Sequence, residues 1–255
     1  MDLVIQLYLY NFRNEQNPIL ASAKQRRQME INECFLRNLH HPLINTIHIL
    51  CDTGATKNHY ESLAHEKQEK CRFILHGKQP TYAEIIRYVS QNIPDNKIVC
   101  IQNSDIYIDH SLSLEFLETN LTNDRLIALT RHEHTNDEHT PCNVETCPLI
   151  WDYMGSHDTF LFRTPIPESF PYHTLEYHQN VYGGESIFMK AFKDSGKQLF
   201  NPCFDIRIFH KHMERFTFSS YPTLADGYLC HVNPIAPTSR PDIAAQLKTL
   251  FTKEI

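Results

Sequence analysis

Residues 98–109 read Ile-Val-Cys-Ile-Gln-Asn-Ser-Asp-Ile-Tyr-Ile-Asp. The apolar run from Ile98 to Ile101 breaks at Asn103-Ser104-Asp105, and the apolar pattern resumes at Ile106. A short apolar run with an abrupt polar stop fits a buried strand. Such a strand delivers the Asp105 carboxylate at its carboxyl end, on the rim where open α/β sheets bind ligands. A carboxylate there holds a divalent cation or a ribose hydroxyl. The stretch points to a metal-assisted site for a phosphorylated ligand.

The surrounding chain supplies the rest of such a sheet. Strands are expected at Leu3 to Tyr10, Ile44 to Cys51 (with Ile47, Ile49 and Cys51 on one face), Arg72 to Leu75, Arg125 to Thr130, Thr159 to Arg163 and Asp205 to His210. Helices are expected at 25–39, ended by His41-Pro42, and at Tyr82 to Gln91, Leu112 to Leu121 and Glu185 to Ser195, the last stopped by Gly196. A further helix, Asp242 to Thr252, is expected after the Pro-rich segment 234–241, and 131–150 reads as a long polar loop. Strands alternate with helices through the first half. That predicts an α/β fold, a mostly parallel central sheet flanked by helices, as one domain over 1–255.

Composition excludes several classes. At 255 residues, 41% hydrophobic and 21% charged, the chain is ordinary for a globular protein with a sizeable core. A net charge of −6 with His neutral argues against a general nucleic-acid-binding surface, so an anionic substrate needs local cations or a metal. No apolar run approaches the roughly 18–20 residues of a membrane span. The start, Met1-Asp2-Leu3-Val4-Ile5, lacks the basic region and cleavage site of a signal peptide. Eight Cys are scattered, with Cys100 in the apolar strand and Cys34 in a helical pattern, which fits a reduced cytoplasmic setting.

Five groups of residues can carry chemistry. Asp105 either ligates a hard divalent cation that bridges a diphosphate or caps a turn, while Asp109 reads as the cap of the helix beginning near Ser111. His210 and His212 alternate onto one face of a strand. Added to carboxylate and phosphate oxygens, one of them completes a mixed nitrogen/oxygen site suited to Mn²⁺ or Mg²⁺; otherwise both are edge-strand His. Gly183-Gly184-Glu185 is either a helix start or a close backbone approach to ligand followed by a carboxylate that takes a proton from an acceptor hydroxyl. Gly155-Ser156-His157-Asp158 is a turn or supplies Asp158 as base or sugar-binding carboxylate. In the loop His132-Glu133-His134…His139…Cys142…Cys147, the spacing fits no standard zinc pattern; a disulfide or two free thiols is the better reading of the Cys pair.

In order, Arg27-Gln28-Met29-Glu30…Cys34…Asn38, Thr81-Tyr82, Asn103-Ser104-Asp105-Ile106-Tyr107-Ile108-Asp109, Ala128-Leu129-Thr130-Arg131, Gly155 to Phe162, Gly184-Glu185, Asn201-Pro202 and His210-x-His212…Arg215 run through nearly the whole chain. This series resembles a family of glycosyltransferases with the nucleotide-sugar-binding A-type (GT-A, Rossmann-like) fold, found in large DNA viruses, bacteria and algae. The Asn-Ser-Asp-Ile-Tyr-Ile-Asp stretch looks like that family's Asn-x-Asp-Ile-Tyr-Phe-Asp signature. The resemblance implies transfer of a hexosyl or deoxyhexosyl group from a nucleotide-diphosphate donor, most often a UDP-sugar, with Mn²⁺ or Mg²⁺. Two positions depart from the pattern of the fold. Its usual Asp-x-Asp is Asn103-Ser104-Asp105 here, and the acid after the glycine is Glu185 rather than Asp.

The resulting expectation is a metal-dependent transferase acting on a nucleotide-diphospho-sugar donor and a glycan or other hydroxyl acceptor. Asp105 and His210 or His212 hold the cation. Arg27, Glu30, Arg72, Asn103 and Ser104, with Asp105, line the nucleotide pocket, and Arg131 holds phosphate or acceptor. Asp158 and Glu185 are rival general bases. Two other classes stay open: a nucleotidyltransferase, although Asn11-Phe12-Arg13-Asn14 lacks the Gly-rich loop it would need, and a non-catalytic sugar- or metal-binding module.

Overall fold

The computed structural model describes residues 1–134, 157–179, 181, 183–211, 230, 232 and 235. Its sheet explains why the opening stretch is apolar. Strand β4 (Ile98–Gln102) lies between β1 (Asp2–Leu7) and β8 (His157–Arg163) in a seven-stranded sheet, so helices cover it on both faces. The order is β3-β2-β1-β4-β8-β6-β9, with β2 at Thr46–Cys51, β3 at Cys71–Leu75, β6 at Arg125–Thr130 and β9 at Gln198–Phe200. β8 is antiparallel to both its neighbours, and the remaining pairs are parallel. The mostly parallel sheet expected from the alternation of strands and helices is therefore present.

Alternation along the strands divides the core. Leu3, Ile5 and Leu7 of β1, with Ile47, Ile49 and Cys51 of β2, face Ile31, Phe35 and Leu39 of α1 (Pro18–His40) and Tyr60 of α2 (Gly54–Leu63). Val4, Leu50, Val99, Ile101, Phe160 and Phe162 turn the other way. They pack on Ile85, Ile86 and Val89 of α3 (Tyr82–Asn92) and on Phe188, Met189 and Phe192 of α5 (Gly184–Asp194). Between β4 and β6 the chain forms β5 (Ile106–Ile108) and α4 (Leu114–Asn120). β5, β10 (Ile208–His210) and β7 (His132–Glu133) form a second, three-stranded sheet in the order β5-β10-β7.

Local chemistry explains most boundaries. α1 begins seven residues before the expected position 25, because the Asn17 side chain accepts from the Ile19 and Leu20 amides and Pro18 occupies the first turn. α3 starts on a capping box in which Thr81 and Glu84 satisfy each other's backbone amides. Ser113, not Asp109, caps α4; Asp109 instead accepts from the Ser111 amide and pairs with Arg207. The β1 strand stops at Leu7 rather than Tyr10, and Asp205–Arg207 precede β10 rather than extending it. β8 begins at His157, two residues before the expected Thr159, so His157 and Asp158 lie in the strand. Cys142, Cys147 and the helix expected at 242–252 lie outside the described residues.

Candidate active site

β4 ends at Gln102, and the Ile106 amide then donates to the Asn103 carbonyl at 3.3 Å, turning the chain over the end of the sheet. The turn is held from two sides. On α1, the buried Asn38 side chain donates to the Ile106 carbonyl (2.9 Å) and accepts from the Ile108 amide (3.1 Å), pairing with β5 as a strand would. At the end of β10, the Lys211 amide donates to the Asp105 carbonyl at 2.9 Å, and the Arg27 guanidinium of α1 donates to the Lys211 carbonyl at 2.8 Å. Asp105 thus sits where β4, β10 and α1 converge.

A continuous polar network runs outward from it. Arg27 donates to Asp105 Oδ2 and, at 2.7 Å, to Glu30. His210 Nε2 lies 2.9 Å from Asp105 Oδ2, and its Nδ1 lies 3.0 Å from Glu133 Oε2. Arg131 donates to Glu133 Oε1 at 2.8 Å and to Asp158 Oδ2 at 3.0 Å. Asn103 closes the line, its side-chain amide donating to Asp158 Oδ1 at 2.8 Å and its backbone amide to the Asp158 carbonyl at 3.2 Å. Four carboxylates (Glu30, Asp105, Glu133, Asp158) meet two guanidiniums here, a surplus of two negative charges before His210 is counted.

Burial makes these charges interact strongly. Desolvation alone would lower the His210 imidazole, but the Asp105 and Glu133 carboxylates outweigh it and raise it to about 8. Burial would likewise raise Glu133, yet His210 and Arg131 hold it down at about 2. Glu185, in the first turn of α5, is pushed upward by burial and by the charge of Asp158.

The expected site residues separate as follows. Arg27, Glu30, Asn103, Asp105, Arg131, Asp158 and His210 share the network, and Glu185 feels it through Asp158. Ser104 lies in the turn. Arg72 does not join them: it is the second residue of β3, exposed, paired in register with His48 and close in charge to Tyr88, well before the carboxyl ends of the strands. His212 lies outside the described residues. Arg131, expected to hold phosphate or acceptor, instead bridges Glu133 and Asp158. Both glycines before Glu185 are explained without a ligand. Gly183 has a φ of 83°, and a Cβ on Gly184 would meet the Tyr177 ring at 3.0 Å.

Two participants carried no readable signal. Glu133 was legible only as part of a polar loop, because its two-residue strand exists through pairing with β10, which sets it beside His210. Tyr8, just past β1, senses the charges of Asp105 and Arg27 and meets Tyr10 edge-on at 5.3 Å.

Among the described residues, no group of three or more His, Cys, Asp or Glu side chains is placed to hold a metal ion. The donor pair Asp105 Oδ2 and His210 Nε2 nevertheless fits a shared cation. Its 2.9 Å separation is close to the roughly 3 Å expected of adjacent ligands each a little over 2 Å from one ion. A carboxylate and an imidazole suit Mn²⁺ or Mg²⁺ when phosphate oxygens complete the shell.

No protein-family model and no curated protein matches the chain. Solved structures do. The chain is similar to S. aureus TarS 1-349 in complex with UDP-GlcNAc, with a TM-score of 0.52 at 10% identity, over 98% of this chain and 66% of that one. It is also similar to HddC from Yersinia pseudotuberculosis (TM-score 0.37, 16% identity, 67% of this chain and 80% of that one). A third is the inositol-1-phosphate CTP transferase from T. maritima (TM-score 0.43, 10% identity, 85% and 91%). The chain spans just under two thirds of the TarS chain, and at this identity the likeness shows the fold alone.

Proposed function

We propose that this chain, which has the Rossmann-like GT-A fold of nucleotide-diphospho-sugar transferases, is a metal-dependent glycosyltransferase that moves a sugar from a nucleotide-diphosphate donor to a hydroxyl acceptor. One observation carries the reading: Asp105 and His210, 105 positions apart in sequence, meet at 2.9 Å where β4 reaches the rim of the sheet. UDP is the favoured donor nucleotide, since the TarS structure of the same fold holds UDP-GlcNAc.

In this mechanism Asp105 and His210 would hold the cation, and a donor diphosphate would complete its shell. The bound cation, Mn²⁺ or Mg²⁺, supplies Lewis-acid stabilisation of the charge that develops on the departing nucleotide diphosphate. Arg27 fixes Asp105 from the α1 side, and Glu30 balances the guanidinium. Glu185 and Asp158 compete for the role of base in an inverting transfer. Both Asp158 oxygens are held by Asn103 and Arg131, which weakens it as a proton acceptor. Glu185, in the first turn of α5 and close in charge to Asp158, has no such donors fixed on it among the described residues and is the rival candidate; burial and Asp158 favour its neutral form, so it must ionise before it can take the acceptor hydroxyl proton.

Calorimetry with UDP and Mn²⁺, followed by turnover of a panel of nucleotide sugars, tests the reading. Metal-dependent release of the nucleoside diphosphate is expected, and Asp105→Asn should abolish it while circular dichroism shows a folded chain. Undiminished turnover by that variant would sink the proposal. Binding without turnover of any donor would favour the module, and pyrophosphate-dependent chemistry would favour a nucleotidyltransferase.

A further inference from the structure

Glu133 lies outside the residues expected to touch donor or acceptor, yet its carboxylate is fully engaged inside the site. His210 Nδ1 approaches both of its oxygens, at 3.1 and 3.0 Å, and the Arg131 guanidinium donates to Oε1 at 2.8 Å. The arrangement is built into the second sheet. β7 pairs with β10 so that Glu133 stands opposite His210, and the His134 amide donates to the His210 carbonyl at 3.0 Å. An ionised carboxylate accepts hydrogen bonds and donates none. The Nδ1 proton is therefore donated to Glu133; Nε2 faces the Asp105 carboxylate in the same way, and it is the Nε2 proton that a cation would replace.

We infer that Glu133 is a positioning residue: it fixes the His210 ring with Nδ1–H toward itself and Nε2 toward Asp105, so that Nε2 serves as the cation ligand. This rests on the reading of Asp105 and His210 as the cation-holding pair. Outer-shell carboxylates of this kind orient metal-ligating His in many sites, and losing one costs typically 10–100-fold in metal affinity. Arg131 extends the device. By gripping Glu133 and Asp158 at once, it ties the orientation of the His to the carboxylate beside Glu185.

The discriminating variant is Glu133→Gln, nearly equal in size. Its amide can still accept from Arg131 through oxygen, which turns the NH₂ toward His210 Nδ1. The neutral imidazole must then accept at Nδ1 and carry its proton on Nε2, the wrong tautomer for a ligand aimed at Asp105. Nitrogen NMR of ¹⁵N-His protein with UDP and diamagnetic Mg²⁺ present reports directly which ring nitrogen keeps its proton. The expected result is Nδ1–H in the wild type and Nε2–H in the variant, with Mn²⁺ affinity in the presence of UDP falling by about 10–100-fold and the melting temperature showing a folded chain. An unchanged tautomer, or unchanged Mn²⁺ affinity beside a wild type that binds the ion, would overturn the inference while leaving the proposed function intact. A wild type that binds no Mn²⁺ with UDP present would overturn both.

Discussion

Asn38→Ala tests how the fold aims the site. Asn38 is buried on α1, and its side chain makes two hydrogen bonds to β5, at 2.9 Å to the Ile106 carbonyl and 3.1 Å from the Ile108 amide. The two losses are unequal. The Ile106 carbonyl keeps a second donor, the Gln102 side chain at 2.8 Å, whereas the buried Ile108 amide loses the acceptor that faces it. An unsatisfied buried donor costs about 1–3 kcal/mol. The small void left by the carboxamide adds to that, and the better helix propensity of Ala returns about 0.5 kcal/mol. The net expectation is a loss of about 2–3 kcal/mol, or about 4–12 °C in melting temperature for a chain of this size.

The Asp variant sharpens the test. Asn38→Asp keeps an acceptor for the Ile108 amide but sets a carboxylate against the Ile106 carbonyl, so it should destabilise at least as much as Ala. Because Asp105 immediately precedes β5, both variants should also weaken Mn²⁺-dependent UDP binding. Urea denaturation followed by circular dichroism, with calorimetry alongside, gives both quantities. A loss below about 0.5 kcal/mol for Ala, the level of an ordinary surface change, or a tolerated Asp, would refute the view that Asn38 holds the turn.

Two other measurements bear on the fold. His132 is 2% exposed, packs near Phe209, has no hydrogen-bond partner for Nδ1 among the described residues and is depressed to about 4, chiefly by burial. A depressed folded-state value gives stability that is present above the unfolded value of about 6.5 and lost as the pH falls toward 4. The loss should reach about 3 kcal/mol across that window (2.5 units at 1.36 kcal/mol each). In denaturant midpoints taken from pH 7 to 4, His132→Phe should show a visibly shallower slope, and an unchanged slope would contradict the assignment. Thr81→Ala removes one half of the α3 capping box and should cost about 1 kcal/mol without changing UDP affinity; a thermal melt unchanged from the wild type would show that the cap contributes nothing.

What the sequence revealed follows from the kind of signal each element carries. β4 is apolar because it is covered on both faces, so its run and its polar stop were readable, as was the Ile47, Ile49, Cys51 face of β2. α2 was missed because it is polar and buries only Thr56 and Tyr60, leaving no helical period to detect. The start of α1 at Asn17-Pro18 was legible as a cap followed by proline, yet sits outside the periodic stretch. In the site, Asp105 and His210 could be named from strand-end position and alternation. Their meeting was expected only as joint cation ligands and could not be read from any local pattern, since it depends on β10 lying beside β5. Glu133 and the bridging role of Arg131 belong to the same pairing and were equally hidden.

The amide at position 103, where the fold's motif usually carries a carboxylate, has a local cause in the antiparallel strand. β8 runs past β4 and continues to Asp158, and the Asn103 backbone amide donates to the Asp158 carbonyl at 3.2 Å. That places the side chain at 103 against Asp158 Oδ1, at 2.8 Å. A carboxylate there would face another at hydrogen-bond distance, and two such groups cannot both stay ionised when close and buried. Asparagine turns this repulsion into a donated hydrogen bond. Asp158 is then held by Asn103 on one oxygen and by Arg131 on the other. Asn103 is thus tied to Asp158, and under the proposed function Asp105 alone of the pair is left to hold a cation, with His210 as the second donor.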